Sequence, residues 1–169
     1  MPEKIEDIII ISDTSCLIAL TNAHKLDIVY KTYKNVQVTP EVKKEYEEKG
    51  DILPSWINVK EPNNTEWVNK LKAEFGSGES EAIVLAKETE NGLLVLDDSR
   101  ARNYAADIGI KVTGTMGIID EARKRDIITI DEAIDTLTIM KNNGFRVSDK
   151  LLNDFIEYMK TDAKQRKIS

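Results

Sequence analysis

The sequence predicts an α/β protein built on a parallel sheet, and three observations carry that prediction. From Ile8 onward, short β-rich runs alternate with longer segments of helical period. The first run, Ile8 to Ile11, is apolar at successive positions, as a strand buried on both faces requires. Two runs, Ile8 to Ile11 and Leu93 to Leu96, lead straight into acidic residues, Asp13 and the pair Asp97-Asp98. Open parallel sheets bind ligands beyond the carboxyl ends of their strands, so these acids are the first candidates for chemistry.

The elements follow in order. After the first strand, Thr14 and Ser15 can cap a helix. Leu26, Val29, Tyr30 and Tyr33 recur at helical spacing and predict a helix over 24–34. A short strand follows at Val36 to Val38. Thr39 as N-cap and Pro40 at the first helical position start the next helix, which Gly50 can stop. Trp56 to Val59 predicts another short strand, and Trp67, Val68, Leu71 and Phe75 form one helix face that ends at Gly76. The turn Gly76 to Gly78 opens a helix from Glu79 to Asn91, then Leu93 to Leu96 forms a buried strand. Ser99 is expected to cap the helix that Gly109 closes. Ile110 to Val112 is the last parallel strand, and Thr115 is expected to cap the helix through Ala122. Thr129 and Glu132 form a capping box. Leu151, Leu152, Phe155, Ile156 and Met159 mark the final helix, with a basic, loose tail after it.

A chain of 169 residues fits one domain with a helical appendage. The expected divisions are a catalytic domain over 1–128, helices over 129–160 packed on it, and a flexible tail over 161–169. No apolar run approaches the roughly 20 residues that span a bilayer. Glu3, Glu6 and Asp7 stand where a signal peptide would be basic and then apolar, so a cytoplasmic location is expected. Cys16 and His24 are each the only residue of their type. An intrachain disulfide, the common zinc ligand sets and histidine general-base chemistry are thereby set aside, leaving carboxylates as the plentiful reactive groups. A net charge of −6 argues weakly against a simple nucleic-acid binder. A pocket of acids is itself negative, however, and needs cations before a phosphate can approach.

Among the acids, Asp13 reads equally as a helix N-cap and as a ligand. Glu45 lies roughly 60° from Val42 on the helical wheel and is the acid of its helix nearest the buried face. The alternative for it is a solvated pair with Lys49. Ala82 to Ala86 surround their helix with apolar groups, so the acids at its start flank a buried segment. The helix dipole explains at least one of them. Glu81 is preferred for the site and Glu79 ranks second. Hard divalent cations choose carboxylate and water oxygens, and such ions can activate water against a phosphodiester, so the set favours metal-assisted phosphoryl hydrolysis.

These residues, Asp13-Thr14-Ser15 after the first strand, Thr39-Pro40-Glu41-Val42 leading to Glu45, and Gly78-Glu79-Ser80-Glu81-Ala82 followed by Asp97-Asp98, resemble the PIN domain. Arg102 and Thr113-Gly114-Thr115-Met116-Gly117 extend the likeness to a subgroup of PIN-like proteins, over roughly residues 8 to 125 and into the C-terminal helices. The resemblance implies a three-layer α/β/α fold with a central parallel sheet and extra C-terminal helices. It implies a site for Mg²⁺ or Mn²⁺ and cleavage of single-stranded RNA, as in VapC-type toxins restrained by an antitoxin. On this likeness Asp13, Glu45, Glu81 and Asp98 are the catalytic metal-binding acids, with Asp97 the alternative to Asp98. Thr14 or Ser15 would hold a metal-bound water or phosphate, and Arg102 and Thr115 would contact substrate. Expected partners are single-stranded RNA, an antitoxin protein and a second copy of the chain, with no membrane. The helices beyond residue 128 exceed the minimal domain.

Competing readings are weaker. Gly76-Ser77-Gly78 follows a helix rather than a strand, against a dinucleotide fingerprint. Ser15 stands where a haloacid-type phosphatase needs its second Asp. The cluster Arg123-Lys124-Arg125 reads as a solvated helix face more readily than as a phosphate track. Cys16 reads as core. The rival of a different class is a catalytically idle PIN-like module that binds nucleic acid or protein.

Overall fold

The computed structural model describes residues 4–168; Glu3 and Ser169, which entered the sequence reading, lie outside them. The chain divides into two compact units, one of residues up to 18 with 33–115 and one of residues 19–32 with those from 116 onward. The helix after the last strand falls in the second unit, where it shares an ion network with the last helix.

The first unit holds the sheet: β1 (Ile9–Ser12), β2 (Asn35–Val38), β3 (Ile57–Val59), β4 (Gly92–Val95) and β5 (Val112–Thr113). All pairings are parallel and the order is β3-β2-β1-β4-β5, the α/β architecture the sequence predicted. From β1 the chain adds strands outward in one direction and then, with β4 and β5, in the other. The order therefore reverses between β1 and β4, where open sheets leave a crevice. Ser12 pairs with Val95, and the Asp13 N–H donates to Val95 O at 3.1 Å. Asp13 and Asp97 thus leave neighbouring strands at the lip of that crevice.

Helix α1 (Thr14–Asn22) follows β1, and α2 (Asp27–Tyr33) lies between residues of positive φ, His24 and Lys34, which break the predicted helix over 24–34 at both ends. Helix α3 (Pro40–Glu47) begins as predicted: the Thr39 hydroxyl accepts the Val42 N–H and Pro40 needs no donor there. Helix α4 (Thr65–Leu71) is capped by Asn64. Helix α5 (Ser77–Glu88) starts earlier than expected, with Gly76 as N-cap. Ala82 to Ala86 are all buried, and they join Ile11, Leu94, Leu96, Val68, Leu71 and Phe75 in one core cluster. Burial of each large side chain there is worth about 1.5–3 kcal/mol, which holds the start of α5 against the sheet end.

Helix α6 (Ser99–Asp107) is capped by Asp98 and not by Ser99 as predicted: Asp98 Oδ1 accepts the Ala101 N–H at 2.8 Å. The strand β4 stops at Val95, so the chain has already turned when it reaches Asp98, and the aspartate lies one position earlier in the cap.

In the second unit are α7 (Thr115–Lys124), whose first residue belongs to the sheet unit, α8 (Ile130–Asn142) and α9 (Asp149–Ile168). The Thr129–Glu132 capping box forms as read. Helix α9 runs to Ile168 where a loose tail over 161–169 was expected. No Gly or Pro interrupts it, and Arg166 pairs with Asp162 one turn back at 2.8 Å. Arg123 is not on a solvated face: its guanidinium is 4% exposed and lies between Asp120 at 2.7 Å and Asp162 at 2.8 Å. The Tyr158 hydroxyl donates to Asp120 Oδ2, completing a network that fastens α9 to α7. No helix among the described residues is long and apolar enough to cross a membrane.

Candidate functional site

Asp13 emerges from β1 into a closed environment, 3% exposed. Its Oδ1 accepts the Cys16 N–H at 2.9 Å, so it caps α1, and the Asp97 backbone N–H also donates to it. The cap read for this residue from sequence is therefore realised. Burial pushes its pKa up to about 7, the negative charges of Asp97 and then Glu79 add to the rise, and the two backbone donors oppose it. A carboxyl poised near neutrality beside a second carboxylate is a feature of working sites more than of structural caps.

Asp97 is half-buried. Its Oδ1 accepts the Thr115 N–H at 2.8 Å and its Oδ2 accepts the Thr115 hydroxyl proton at 2.5 Å. Asp97 therefore serves the start of α7, a task the sequence reading had given to Thr115 alone. Thr115, read from sequence as a cap and as a substrate contact, meets the Asp97 carboxylate. A Cβ on Gly114 would come within 3.0 Å of Arg102 Nη1 and 3.1 Å of Asp97 Oδ1, so the guanidinium and the carboxylate flank one bare backbone atom. Arg102 is tied back by a bond from Nη1 to Leu96 O at 3.2 Å. Beneath the pair, the Cys16 thiol is buried and held well above the usual thiol range by desolvation and by the charges of Asp97 and Asp13. It shares hydrogen bonds with Thr115 and Ser12, so the residue read as core is the floor of the site.

The two glutamates from sequence, Glu45 and Glu81, make a reciprocal exchange. Glu45 on α3 accepts the Gly78 N–H in the first turn of α5 at 3.1 Å, and Glu81 on α5 accepts the Glu41 N–H in the first turn of α3 at 3.1 Å. Each carboxylate satisfies a donor that the other helix leaves without an intrahelical partner. Glu45 also accepts the Thr14 hydroxyl proton, and so it is not in the solvated pair with Lys49 that was its alternative. Ser15 is exposed and Asp98 is engaged as the α6 cap.

Glu79, ranked second from sequence, is the acid that the charges of the site converge on. It is half-buried, its Oε1 accepts the Gly76 N–H at 3.1 Å, and burial raises its pKa, with Asp98 and Glu45 contributing. Its charge in turn reaches Asp13. The structure therefore brings Asp13, Asp97, Glu79 and Glu45 into one electrostatic neighbourhood and turns Glu81 toward α3. Gly78 was overlooked as a site residue. The sequence placed it in a turn, where glycine is ordinary; only with α5 starting at Ser77 does it stand inside a helix, where glycine costs about 0.5–1 kcal/mol relative to alanine and calls for a reason.

A family model, DUF3368, described as a PIN domain, matches residues 9–161. The chain belongs to this PIN-domain family. No curated protein and no solved structure matches it significantly. PIN domains are of nuclease type and typically work with divalent metal ions.

The donor chemistry of this PIN site suits such an ion. Asp13 and Asp97 supply hard oxygens, and the raised pKa of Asp13 shows how much a nearby positive charge would relieve. Among the described residues no three His, Cys, Asp or Glu side chains stand together closely enough to hold a metal. A two-carboxylate site completed by water is compatible with this, since Mg²⁺ is commonly held by one or two carboxylates and retains several waters.

Proposed function

We propose that this PIN-domain protein is a divalent-metal-dependent nuclease that hydrolyses phosphodiester bonds of single-stranded RNA. The buried Asp13, raised to about 7 beside Asp97, is the observation that carries the reading. Asp13 and Asp97 would hold Mg²⁺ or Mn²⁺, with Glu79 and Glu45 as the adjoining acids. Bound there, the ion would supply charge neutralisation for phosphate and an activated water. The chain's own part begins with Asp97, whose two oxygens are fixed by Thr115 so that the acid cannot swing away. Asp13 is shielded from bulk water, which strengthens its hold on any cation. Glu79 offers a second carboxyl of raised pKa to take or give a proton next to the reacting phosphate. Arg102, beside Asp97, offers a cation to the RNA backbone. A role as the toxin of a toxin-antitoxin pair, with an antitoxin as protein partner, extends the same proposal. It rests on the PIN membership alone.

One observation favours a second reading, a catalytically idle PIN-like binding module: Glu45, Glu81 and Asp98 each hold a backbone donor and so have structural work of their own. Wild type and Asp13→Asn, incubated with fluorescent single-stranded RNA and DNA in Mg²⁺, Mn²⁺ or EDTA, separate the two. The nuclease cuts RNA only with metal and only with Asp13 intact. Cleavage that survives Asp13→Asn would overturn the site, and the absence of cleavage in every condition would favour the module.

A further inference from the structure

We infer that Gly78 and Thr14 are positioning residues that seat the Glu45 carboxylate between the two halves of the acidic site, an inference that rests on the metal-site reading above. Gly78 is the second residue of α5, and its φ is not among the positive values that would themselves call for glycine. The reason for glycine is space. A Cβ built there would lie 2.6 Å from Glu45 Oε2, closer than carbon and oxygen can approach, and a tight 3.1 Å from its Cδ and Oε1. The atoms in the way belong to the end of a flexible side chain and not to backbone, so an added methyl would evict the carboxylate and leave the helix in place.

The seat has two donors, from two different helix starts. The Gly78 N–H bonds Oε1 and the Thr14 hydroxyl bonds Oε2, so both oxygens are held. Chain adjacency gives these contacts their meaning. Thr14 follows Asp13 and Gly78 precedes Glu79, so the Glu45 carboxylate ties together the backbone segments that carry the other acids. The Glu45 charge reaches Glu79, as expected from that placement. Glu81 makes the matching bond at the other end of the exchange, to the Glu41 N–H.

The test is Mn²⁺ binding by calorimetry, with apo thermal unfolding alongside, on wild type, Gly78→Ala, Thr14→Val and Thr14→Ser. The inference expects Gly78→Ala and Thr14→Val to fold but to lose about tenfold in Mn²⁺ affinity, the scale of disturbing a group that adjoins the ligands of a metal site. Thr14→Ser, which restores the hydroxyl, should stay within about threefold of wild type. In a Glu45→Gln background Gly78→Ala should have no further effect, because its target is already gone. Wild-type binding that Gly78→Ala and Thr14→Val leave unchanged would overturn the positioning role while sparing the metal site. A wild type that binds no Mn²⁺ would overturn the metal-site reading and this inference with it. Should Gly78→Ala fail to fold, the contrast between Thr14→Val and Thr14→Ser decides the matter.

Discussion

Replacing Asp13 by Asn should stabilise the metal-free protein at alkaline pH and cease to do so at acid pH. The carboxyl ordinarily titrates at 3.8 and in the fold at about 7, chiefly because it is buried and secondarily because Asp97 is charged beside it. Between those values the native protein holds a proton that the unfolded chain releases. Stability is therefore full below the ordinary value and is lost as pH rises toward 7, at about 1.4 kcal/mol per pH unit. The whole loss is on the order of 4 kcal/mol, of which about 3 kcal/mol falls between pH 5 and pH 8. Asn does not titrate and still offers an acceptor to the Cys16 N–H. Its amide donors confront the Asp97 N–H, at a cost of about 1–3 kcal/mol that does not depend on pH. The informative quantity is thus the slope and not the offset. In urea titrations without metal, the stability of Asp13→Asn relative to wild type should rise by about 3 kcal/mol from pH 5 to pH 8, or roughly 6–12 °C in Tm for a chain of this size. Saturating Mn²⁺ at pH 8 should raise the Tm of wild type and not that of the variant. A difference that stays constant across that pH range would refute the placement of a strained, buried carboxyl at the end of β1.

Three further outcomes follow from the same coordinates. Asp98→Asn should keep both the α6 cap and metal-dependent cleavage, Asp98→Ala should cost about 1 kcal/mol, and Asp97→Asn should abolish Mn²⁺ binding; a loss of binding confined to Asp98→Asn would reverse the assignment. Arg123→Met, which strands Asp120 and Asp162 without their shared cation, should lower unfolding free energy by about 3 kcal/mol or more in urea, and a change under 1 kcal/mol would show that the network does not fasten α9. The Cys16 thiol, buried and pushed upward in pKa, should resist a thiol reagent at pH 8 until the protein is unfolded; rapid labelling of the native state would place it elsewhere than the floor of the site.

The sequence by itself determined the parallel sheet, because Ile9 to Ile11 and Leu93 to Leu96 have no polar face to leave in water. It also determined that acids stand at the ends of two strands. Local rules were enough for Thr39-Pro40 and for Thr129 with Glu132, whose caps depend on donors three residues away. They failed where the partner is distant in the chain. Where the Glu81 carboxylate goes depends on where α3 presents the Glu41 N–H, 40 residues away. The partners that Asp97 and Asp98 find depend likewise on Thr115 being brought to β4 by β5, and on α6 taking Asp98 for its cap. Ser99 and Asp98 are both good caps, and only the point at which β4 ends chooses between them. The run Arg123-Lys124-Arg125 read as a surface because charge usually is one, until Asp162 from α9 joined the buried Asp120 as counter-charge to Arg123. Spacing along a helix or strand fixes which face a side chain takes, a matter of backbone geometry alone. Which donor it finds there depends on hydrogen bonds and charges contributed by other elements, and only the tertiary fold brings those within reach.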